Sequence, residues 1–274
     1  MRELHNVVLS GMGAITARGD ATLHGASTLS AHGEAGFSMG NFALENYLAS
    51  PKTYLDRCSA LALAASALAL RDAQIAWPLS DENFGITLGT HLGCIETMQK
   101  FWDAAAEKGA RLANPLLFSH SYFNSPISLC AIEFGLKGYH ATFCARENSG
   151  LEAVRAAVDA IRLGHVDAML CGGVEALSPT RLLCESEDSS NDKSPNEKNR
   201  NEKVLGEASV FFVLENAERA ASRGAASTRA VNESSFENLP PQVKTARLRF
   251  GDCGGATSTL ALALSFFTPG SASS

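Results

Sequence analysis

Two apolar strand-like segments flank an amphipathic helical segment near the middle of the chain, and this succession limits the possible folds more than any other feature. Residues 139–145 alternate as a strand does, residues 151–163 repeat with helical periodicity, and residues 166–171 form a second apolar run. Gly164 follows the helical segment, where glycine commonly caps a helix C-terminus. A strand, a crossover helix and a second strand predict parallel strand pairing and an α/β layered fold.

The same kinds of pattern predict the other elements. Apolar runs predict strands at residues 4–10, 84–89, 210–214 and 244–250. Segments rich in alanine and leucine, or with helical periodicity, predict helices at residues 55–73, 93–108, 125–134 and up to about residue 222. Tight turns are predicted at the glycine-rich residues 11–14 and 251–255, a loop at 230–243, and either a helix or a strand at 256–267.

The composition is that of an ordinary globular protein, with 45% hydrophobic and 19% charged residues in a chain of 274. The net charge of -6 and the pI near 5.7 argue against nucleic acid as a partner, because phosphate binding needs a basic patch. No apolar run is long enough to span a membrane, and the first residues lack the features of a signal peptide. We therefore expect a cytoplasmic protein without a membrane span.

The seven cysteines occur singly, at positions 58, 94, 130, 144, 171, 184 and 253. An odd number without a CxxC pair fits neither a disulfide framework nor a zinc site, so no metal and no cofactor are predicted. Most of these cysteines lie in apolar stretches, where a free cysteine behaves as a small buried hydrophobic residue.

Residues 185–203 interrupt the pattern, because they include no hydrophobic residue. Such a segment cannot contribute to a hydrophobic core. It is predicted to be a mobile surface loop that acts as a solvated linker. Regular structure is expected to return at Gly206.

Four segments, in this order along the chain, resemble landmarks of the ketosynthase (condensing-enzyme) family. They are an opening strand and glycine turn, the region around the family's nucleophile, the next strand and a final glycine-rich motif, at residues 7–14, 135–176, 205–215 and 250–255. Each segment alone is a weak signal, but four in the right order are specific. The resemblance implies a thiolase-like layered αβαβα fold with a truncated C-terminal half.

The resemblance also implies a domain organisation. Residues 1–224 correspond to a ketosynthase N-terminal-like domain that includes the polar loop 185–203. Residues 225–274 correspond to a reduced C-terminal half that completes the same domain. Only about two dozen residues separate Gly224 from Phe250, where the family has a much larger half-domain.

Glu147 occupies the position of the family's nucleophilic cysteine. In ketosynthases that cysteine lies at a strand-to-helix elbow, three residues before a glycine, where the helix dipole lowers the thiol pKa. Gly150 fixes this position in the chain, and Arg146 and Asn148 flank the glutamate. The family also uses two histidines from its C-terminal half, but the last histidine here is His165. The resemblance therefore implies no catalysis by this chain alone.

The absence of the nucleophilic cysteine and of the two later histidines is also typical of the chain length factors of type II polyketide systems, which pair with an active ketosynthase. Residues 150–153, Gly-Leu-Glu-Ala, are similar to their elbow, and compact forms resemble those of aryl polyene gene clusters. This resemblance implies a noncatalytic subunit that forms a heterodimer with a catalytic ketosynthase, shapes its acyl tunnel and meets acyl carrier protein through that partner. Two alternatives stay open: a decarboxylase or acyltransferase that uses Glu147 or Cys144, and a module that docks carrier protein.

The resemblance also implies an interface. In the family, the strand before the nucleophile pairs with its counterpart across the dimer axis, and residues 139–145 hold that place. A partner is expected, because an exposed apolar edge strand is an aggregation hazard. Burial in the core is the alternative for the aromatic residues before residue 125, and His120 is expected to be a satisfied interface histidine. The tunnel or interface residues implied by the resemblance are Phe118, Tyr122, Phe123, Asn124, Tyr139, Ala141 and Phe143.

Several roles at the elbow stay open on the sequence. Glu147 is a structural anion at the helix N-terminus paired with Arg146, an aid to decarboxylation, or a residue that approaches the partner's active site. Cys144 is predicted to be buried in its strand rather than to act as a nucleophile. The last glycine motif lacks the lysine of a phosphate-binding loop. It is predicted to form a tight glycine turn near the nucleophile position, at Gly251, Gly254 and Gly255.

Overall fold

The computed structural model describes residues 4–25, 29, 37–191, 204–225, 227–237 and 239–267, and the seven strands in these residues form one mixed sheet. The strands are β1 Val7–Thr16, β2 Gly19–Thr22, β3 Phe84–Gly89, β4 His140–Phe143, β5 Ala168–Glu175, β6 Ala208–Asn216 and β7 Arg229–Val231. The helices are α1 Arg57–Asp72, α2 Ile95–Lys108, α3 Pro115–Ser119, α4 Ser125–Phe134, α5 Ser149–Arg162, α6 Pro179–Asn191, α7 Ala217–Ser222, α8 Ser234–Glu237, α9 Pro240–Phe250 and α10 Thr257–Phe267.

One end of the sheet, formed by β5, β3 and β4, is parallel, as the strand–helix–strand succession predicts. The order is β2-β1-β6-β5-β3-β4, with β7 also paired to β1. β3 lies between β4 and β5 and runs parallel to both, with Gly89 opposite Phe143 on one side and Gly173 on the other. β6 is antiparallel to β5 and β1. β4 therefore lies at one edge of the sheet, and α5 carries the chain from β4 to β5 across β3.

Helices cover both faces of this sheet. One hydrophobic cluster joins α1 and α4 to one face, and a second joins α5 and α10 to the other. α1 is buried over most of its surface, as its run of alanine and leucine predicts. Its first turn is capped by Asp56, whose side chain accepts a hydrogen bond from the Cys58 N–H at 2.7 Å. The described residues thus form three layers, α–β–α, of the predicted layered fold. All the described helices and strands that follow β7 are helices.

The predicted turn at residues 11–14 is wrong, because β1 runs straight through it. The glycines have a different purpose: α1 crosses β1 so closely that a side chain would not fit. A Cβ on Gly11 would lie 2.6 Å from the carbonyl oxygen of Ala69, and one on Gly13 would lie 2.2 Å from that of Ala65. Gly172 lies inside β5, where a Cβ would lie 2.0 Å from the carbonyl oxygen of Val210 in the neighbouring strand β6.

The region after residue 229 also differs from the prediction. The predicted strand 244–250 is the second half of α9, and the predicted loop 230–243 contains β7, α8 and the start of α9. Two prolines in the first turn of α9 favour a helix start, and the buried Ala246 and Phe250 are spaced for one helical face. Residues 256–267, left open between helix and strand, form a helical turn followed by α10.

The polar segment 185–203 is partly helical, so the predicted loop is too long. Its first residues, 185–191, continue α6, and residues 192–203 lie outside the described residues. A tertiary contact anchors this polar helix. Arg181 is fully buried and donates hydrogen bonds to the carbonyl oxygens of Gly206 and Asp252, both at 2.8 Å. Within the described part of the chain, no helix combines the length and apolar character needed to cross a bilayer.

Candidate functional site

The strand-to-helix elbow after β4 is built as a short helical turn that leads into a longer helix. β4 ends at Phe143, residues 146–148 form a 3₁₀ turn, and α5 begins at Ser149. The Ser149 hydroxyl accepts the Ala145 N–H at 2.8 Å and donates to the Arg146 carbonyl oxygen at 2.5 Å, which fixes the turn. Arg146 adopts a positive φ of 53°. This strained backbone conformation holds the residue after it, Glu147, on the outer side of the elbow, where it is exposed.

Glycines let three segments converge on this elbow. A Cβ on Gly150 would lie 2.7 Å from the carbonyl oxygen of Gly255 and 3.3 Å from the Cα of Gly173. A Cβ on Gly89 at the end of β3 would lie 2.1 Å from the Ser149 carbonyl carbon. The N-terminus of α5 therefore abuts β3, β5 and the glycine turn, and the Leu151 N–H donates to the Ser258 hydroxyl of α10 at 3.1 Å.

Glu147 forms an ion pair with Arg247 from the last turn of α9. One of the three interpretations open on the sequence paired Glu147 with Arg146, and none of them included Arg247. Both side chains of the pair are about half-exposed, and Arg247 also lies 3.8 Å from the carboxylate of Asp252. Gly251, four residues after this arginine, has a φ of 77° and caps the end of α9, from which the chain enters the glycine motif. In the sequence, the signal that could have pointed to Arg247 is its position as a basic residue shortly before a glycine turn.

A second carboxylate, Glu175, lies behind the elbow and is fully buried. It ends β5 and accepts backbone N–H groups of His91 at 2.6 Å, Leu92 at 3.0 Å and Gly255 at 2.9 Å. A Cβ on Gly254 would lie 2.7 Å from it, so the glycine motif folds around this carboxylate. No role was predicted for Glu175 from the sequence, although an acidic residue at the end of an apolar strand could have indicated a buried carboxylate. Its contacts are those of a structural anchor.

Cys144 is exposed, so its predicted burial in the strand is wrong. The reason is that β4 makes its last pair at Phe143, and the next residue already lies beyond the sheet. Partial desolvation raises the pKa of the Cys144 thiol, and the negative charge of Glu175 raises it further. The exposed thiol is thus accessible, but its environment disfavours the thiolate that nucleophilic attack requires.

The aromatic residues before α4 lie at the surface, and α4 itself contacts the edge strand β4. Phe118 and Tyr122 are each nearly half-exposed and contact each other edge-on at 5.0 Å between ring centres, which contradicts the alternative of simple core aromatics. Asn124 and Tyr139 are also exposed, whereas Phe123, Ala141 and Phe143 are partly buried. The Nδ1 of His120 is buried and has no hydrogen-bond partner among the described residues, so its predicted satisfaction at an interface stays a prediction.

More apolar side chains are exposed on the segments between β3 and β4. Trp102, Leu112 and Ile132 are the most exposed of them, and Ile132 reaches 79%. The Thr142 hydroxyl on β4 is buried yet has no hydrogen-bond partner in the described part of the chain. An edge strand with exposed aromatic neighbours is the surface pattern expected of an interface. We call β4 together with the exposed side chains of Trp102, Leu112, Phe118, Tyr122 and Ile132 the β4 surface.

Comparison with known proteins gives the family. The profile described as "Beta-ketoacyl synthase, N-terminal domain" matches residues 6–220. The ketoacyl synthase alpha subunit of the tetracenomycin polyketide synthase of Streptomyces glaucescens is 31% identical over 187 residues, which cover 62% of this chain and 44% of that protein. The 3-oxoacyl-(acyl-carrier-protein) synthase 2 of Synechocystis is 29% identical over 185 residues, again 62% and 44%. The chain thus spans about half the length of the curated relatives it matches.

Solved structures share the fold at low sequence identity. The ishigamide ketosynthase/chain length factor has a TM-score of 0.74 at 18% identity. The match covers 96% of this chain and 85% of that chain. A ketosynthase (ApeO) in complex with its chain length factor (ApeC) from Xenorhabdus doucetiae has a TM-score of 0.57 at 18% identity, with 77% of this chain and 58% of that chain covered. These likenesses confirm the predicted thiolase-like layered fold. From the sequence match and the fold together, this chain belongs to the beta-ketoacyl synthase family, whose N-terminal domain it contains.

Proposed function

We propose that this chain is a noncatalytic, chain-length-factor-type subunit of a heterodimeric beta-ketoacyl synthase in polyketide or aryl polyene biosynthesis. The observation that carries the proposal is the ion pair between Glu147 and Arg247 at the elbow where the family has its nucleophile. A salt-bridged carboxylate replaces the thiol, and a guanidinium from the C-terminal part of the chain lies against it. The scaffold of the elbow is kept while its nucleophile is absent.

The chemistry of a carboxylate supports the loss of the condensation step. Attack of Glu147 on an acyl thioester would give a mixed anhydride, which hydrolyses or returns to the thioester instead of storing the acyl group. Pairing with Arg247 lowers the electron density available for attack. The family's mechanism also uses histidines, and the charged group that meets Glu147 at this elbow is an arginine, Arg247.

The β4 surface supports the need for a partner. An unpaired edge strand flanked by exposed Phe118, Tyr122 and Ile132 would promote aggregation if it stayed uncovered. Pairing with a catalytic ketosynthase at this edge would cover it and place the aromatic residues against the acyl tunnel. Two structural neighbours are, by their titles, a ketosynthase with its chain length factor, and a third is a type II acyl-carrier protein in complex with its ketosynthase. We therefore also propose a cytoplasmic location, where carrier protein would be reached through the partner.

Co-expression with an active ketosynthase encoded beside this chain tests the proposal. Affinity-tagged chain should recover the partner at equal amounts, and Tyr122→Arg should abolish recovery because it places a charge in the middle of the β4 surface. Leu4→Arg is the matched control, because Leu4 is similarly exposed but precedes β1, which is four strands away from β4 in the sheet. A stable chain that never recovers the partner, or equal loss in both variants, would refute the pairing.

Glu147→Cys separates the missing thiol from the missing acid–base groups. We expect the purified complex of this variant with its partner to gain no second condensation site, because Arg247 cannot act as the family's histidines do. The measurement is product formation in a complex whose partner has lost its own cysteine. Product from that complex would show that the elbow needs only a thiol, and the inference that this chain also lacks the acid–base groups would be wrong.

The exposure of Cys144 favours one second candidate, an acyltransferase that uses this thiol. Incubation with acyl or malonyl carrier protein, followed by intact-mass measurement, distinguishes the two functions. The noncatalytic subunit predicts no covalent adduct on the chain. An adduct that disappears in Cys144→Ser would instead support the acyltransferase, and decarboxylation lost in Glu147→Ala would support a decarboxylase.

A further inference from the structure

Three side chains that can bind metal come together where α1 and α2 begin. Asp56 caps α1, Cys58 lies in its first turn, and Cys94 immediately precedes α2. They are 4%, 0% and 1% exposed, and one carboxylate oxygen and the two Sγ atoms all lie within 4.8 Å of one another. We propose that Asp56, Cys58 and Cys94 form a binding site for a zinc-class divalent metal ion that joins α1 to α2. This inference does not depend on the proposed function.

The separations suit a four-coordinate ion. With zinc–sulfur bonds of about 2.3 Å and zinc–oxygen bonds of about 2.0–2.2 Å, the ligand atoms around a tetrahedral ion lie roughly 3.5–3.8 Å apart. The three ligand atoms are already within 4.8 Å, so small side-chain rotations suffice to close three of the four positions. The Ser59 hydroxyl lies 3.6 Å from Sγ of Cys94 and supplies an oxygen beside the fourth position.

The carboxylate is already oriented by surrounding groups. One oxygen of Asp56 accepts the Cys58 N–H at 2.7 Å, and the other accepts the Thr97 hydroxyl at 2.6 Å. The Thr97 hydroxyl is in turn 2.8 Å from the hydroxyl of Tyr54. Carboxylates that ligate metals are held by such outer hydrogen bonds, and an ionised carboxylate keeps lone pairs free after accepting two. The arrangement therefore orients Asp56 without using up its capacity as a ligand.

The charges balance through proton release. Cysteine ligates a metal ion as its thiolate, so metal binding displaces the thiol protons. A divalent ion would replace the two thiol protons: two Sγ–H bonds break, two metal–sulfur bonds and one metal–oxygen bond form, and two protons leave to water. The resulting site carries one net negative charge. The N-terminal ends of α1 and α2, which are 16 and 14 residues long, face it with partial positive charge.

Ligand chemistry selects the ion class. Two thiolates with one carboxylate favour Zn²⁺ or Cd²⁺ over Mg²⁺ or Ca²⁺, which prefer all-oxygen sites. The sequence analysis predicted no zinc site because no two cysteines are spaced as CxxC. That criterion covers ligands close together along the chain. Here the fold supplies the proximity, since Cys58 lies in α1, before β3 in sequence, and Cys94 lies just before α2, after β3.

Titration of the full reduced chain with Cd²⁺ tests the site. Cys144 and Cys184, the two cysteines that are not buried, are first replaced by serine so that they cannot bind the probe. We expect one Cd²⁺ per chain, a thiolate-to-metal absorption band, and release of two protons per ion. Zn²⁺ should compete for the same site and raise the melting temperature, whereas Mg²⁺ should do neither.

Variants separate this site from general cysteine chemistry. Cys58→Ser and Cys94→Ser should each remove the band and the melting-temperature shift, and Asp56→Asn, which keeps the helix cap, should weaken binding at least tenfold. Cys130→Ser is the matched control: Cys130 is equally buried and 3.7 Å from the hydroxyl of Ser66, but it has no second thiol beside it. It should bind Cd²⁺ as the parent does.

Three outcomes would overturn the proposal. The first is the absence of a band from a chain whose thiols are shown to be reduced after unfolding. The second is equal loss of binding in Cys130→Ser. The third is a disulfide between Cys58 and Cys94 in the protein as purified, because that bond would consume both sulfur ligands. Since none of these measurements involves a ketosynthase partner, they leave the proposed function untouched.

Discussion

The ion pair between Arg57 and Glu207 offers a stability test with an asymmetric outcome. The carboxylate of Glu207 is 1% exposed, whereas the Arg57 side chain is 30% exposed. Both guanidinium contacts, from Nε and Nη2, are 2.7 Å long. Glu207 also accepts the N–H groups of Met39 at 2.7 Å and Leu177 at 3.1 Å, so one carboxylate fixes two other segments to the start of β6.

Removal of the two partners should have different costs. Arg57→Ala leaves a buried carboxylate without its cation, and breaking a buried pair in this way costs about 3–5 kcal/mol. Because Arg57 is partly exposed and water can replace part of it, we expect the lower end, about 3 kcal/mol. Glu207→Gln keeps an oxygen for the backbone N–H groups and leaves a guanidinium that water can reach, so we expect a loss of about 1–2 kcal/mol.

Urea unfolding followed by circular dichroism measures both changes in the free energy of unfolding. Arg155→Ala is the control, because its 3.2 Å pair with Glu152 is exposed on both sides and should be worth at most about 1 kcal/mol. The double variant of Arg57 and Glu207 should lose less than the sum of the two single losses. A cost below about 1 kcal/mol for Arg57→Ala, or a larger cost for Glu207→Gln than for Arg57→Ala, would refute the reasoning.

Three further predictions follow from the structure. Burial opposes ionisation of Glu207, but Arg57 and backbone N–H groups outweigh it and hold the pKa of Glu207 below its usual range. The stability that ionised Glu207 contributes is therefore complete above about pH 5 and is lost as the pH falls through the folded pKa. The free energy of unfolding of Glu207→Gln should accordingly decrease less with falling pH than that of the parent. Gly13→Val should lower the free energy of unfolding by more than about 3 kcal/mol, measured by urea unfolding, because backbone already fills the Cβ position. Cys144 should be alkylated faster than buried Cys171 by mass spectrometry, at a rate still rising above the usual thiol pKa.

Local patterns predicted the elements whose boundaries are set by their own residues. Strand 84–89 and helix 125–134 match β3 and α4 residue for residue, because a buried apolar run bounded by polar residues and a proline-started helix ended by Gly135 carry their own signals. The helix at 55–73 and the central strand–helix–strand unit were also predicted, within a few residues at each end. The resemblance of ordered motifs predicted the family.

Elements whose conformation depends on distant neighbours were not predictable in this way. The glycines of β1 resemble a turn until α1 is known to cross them. Residues 244–250 resemble a strand until their buried side chains are seen to face α10. The polar start of the 185–203 segment stays helical because α6 is anchored by Arg181, which is buried among carbonyl oxygens from two other segments.

At the candidate site, too, some features follow from neighbours along the chain and others depend on distant segments. The sequence by itself determined that a carboxylate, Glu147, precedes Gly150 at one elbow; that it takes the place of the family's cysteine is what the resemblance implies, and it stays a prediction. Only the tertiary structure decided that its charge is met by Arg247, that Cys144 lies outside the sheet, and that Cys58 and Cys94 meet beside a buried carboxylate. The physical reason is that a motif fixes neighbours along the chain, whereas electrostatics, burial and ligand geometry depend on distances in space, which the packing of remote segments sets.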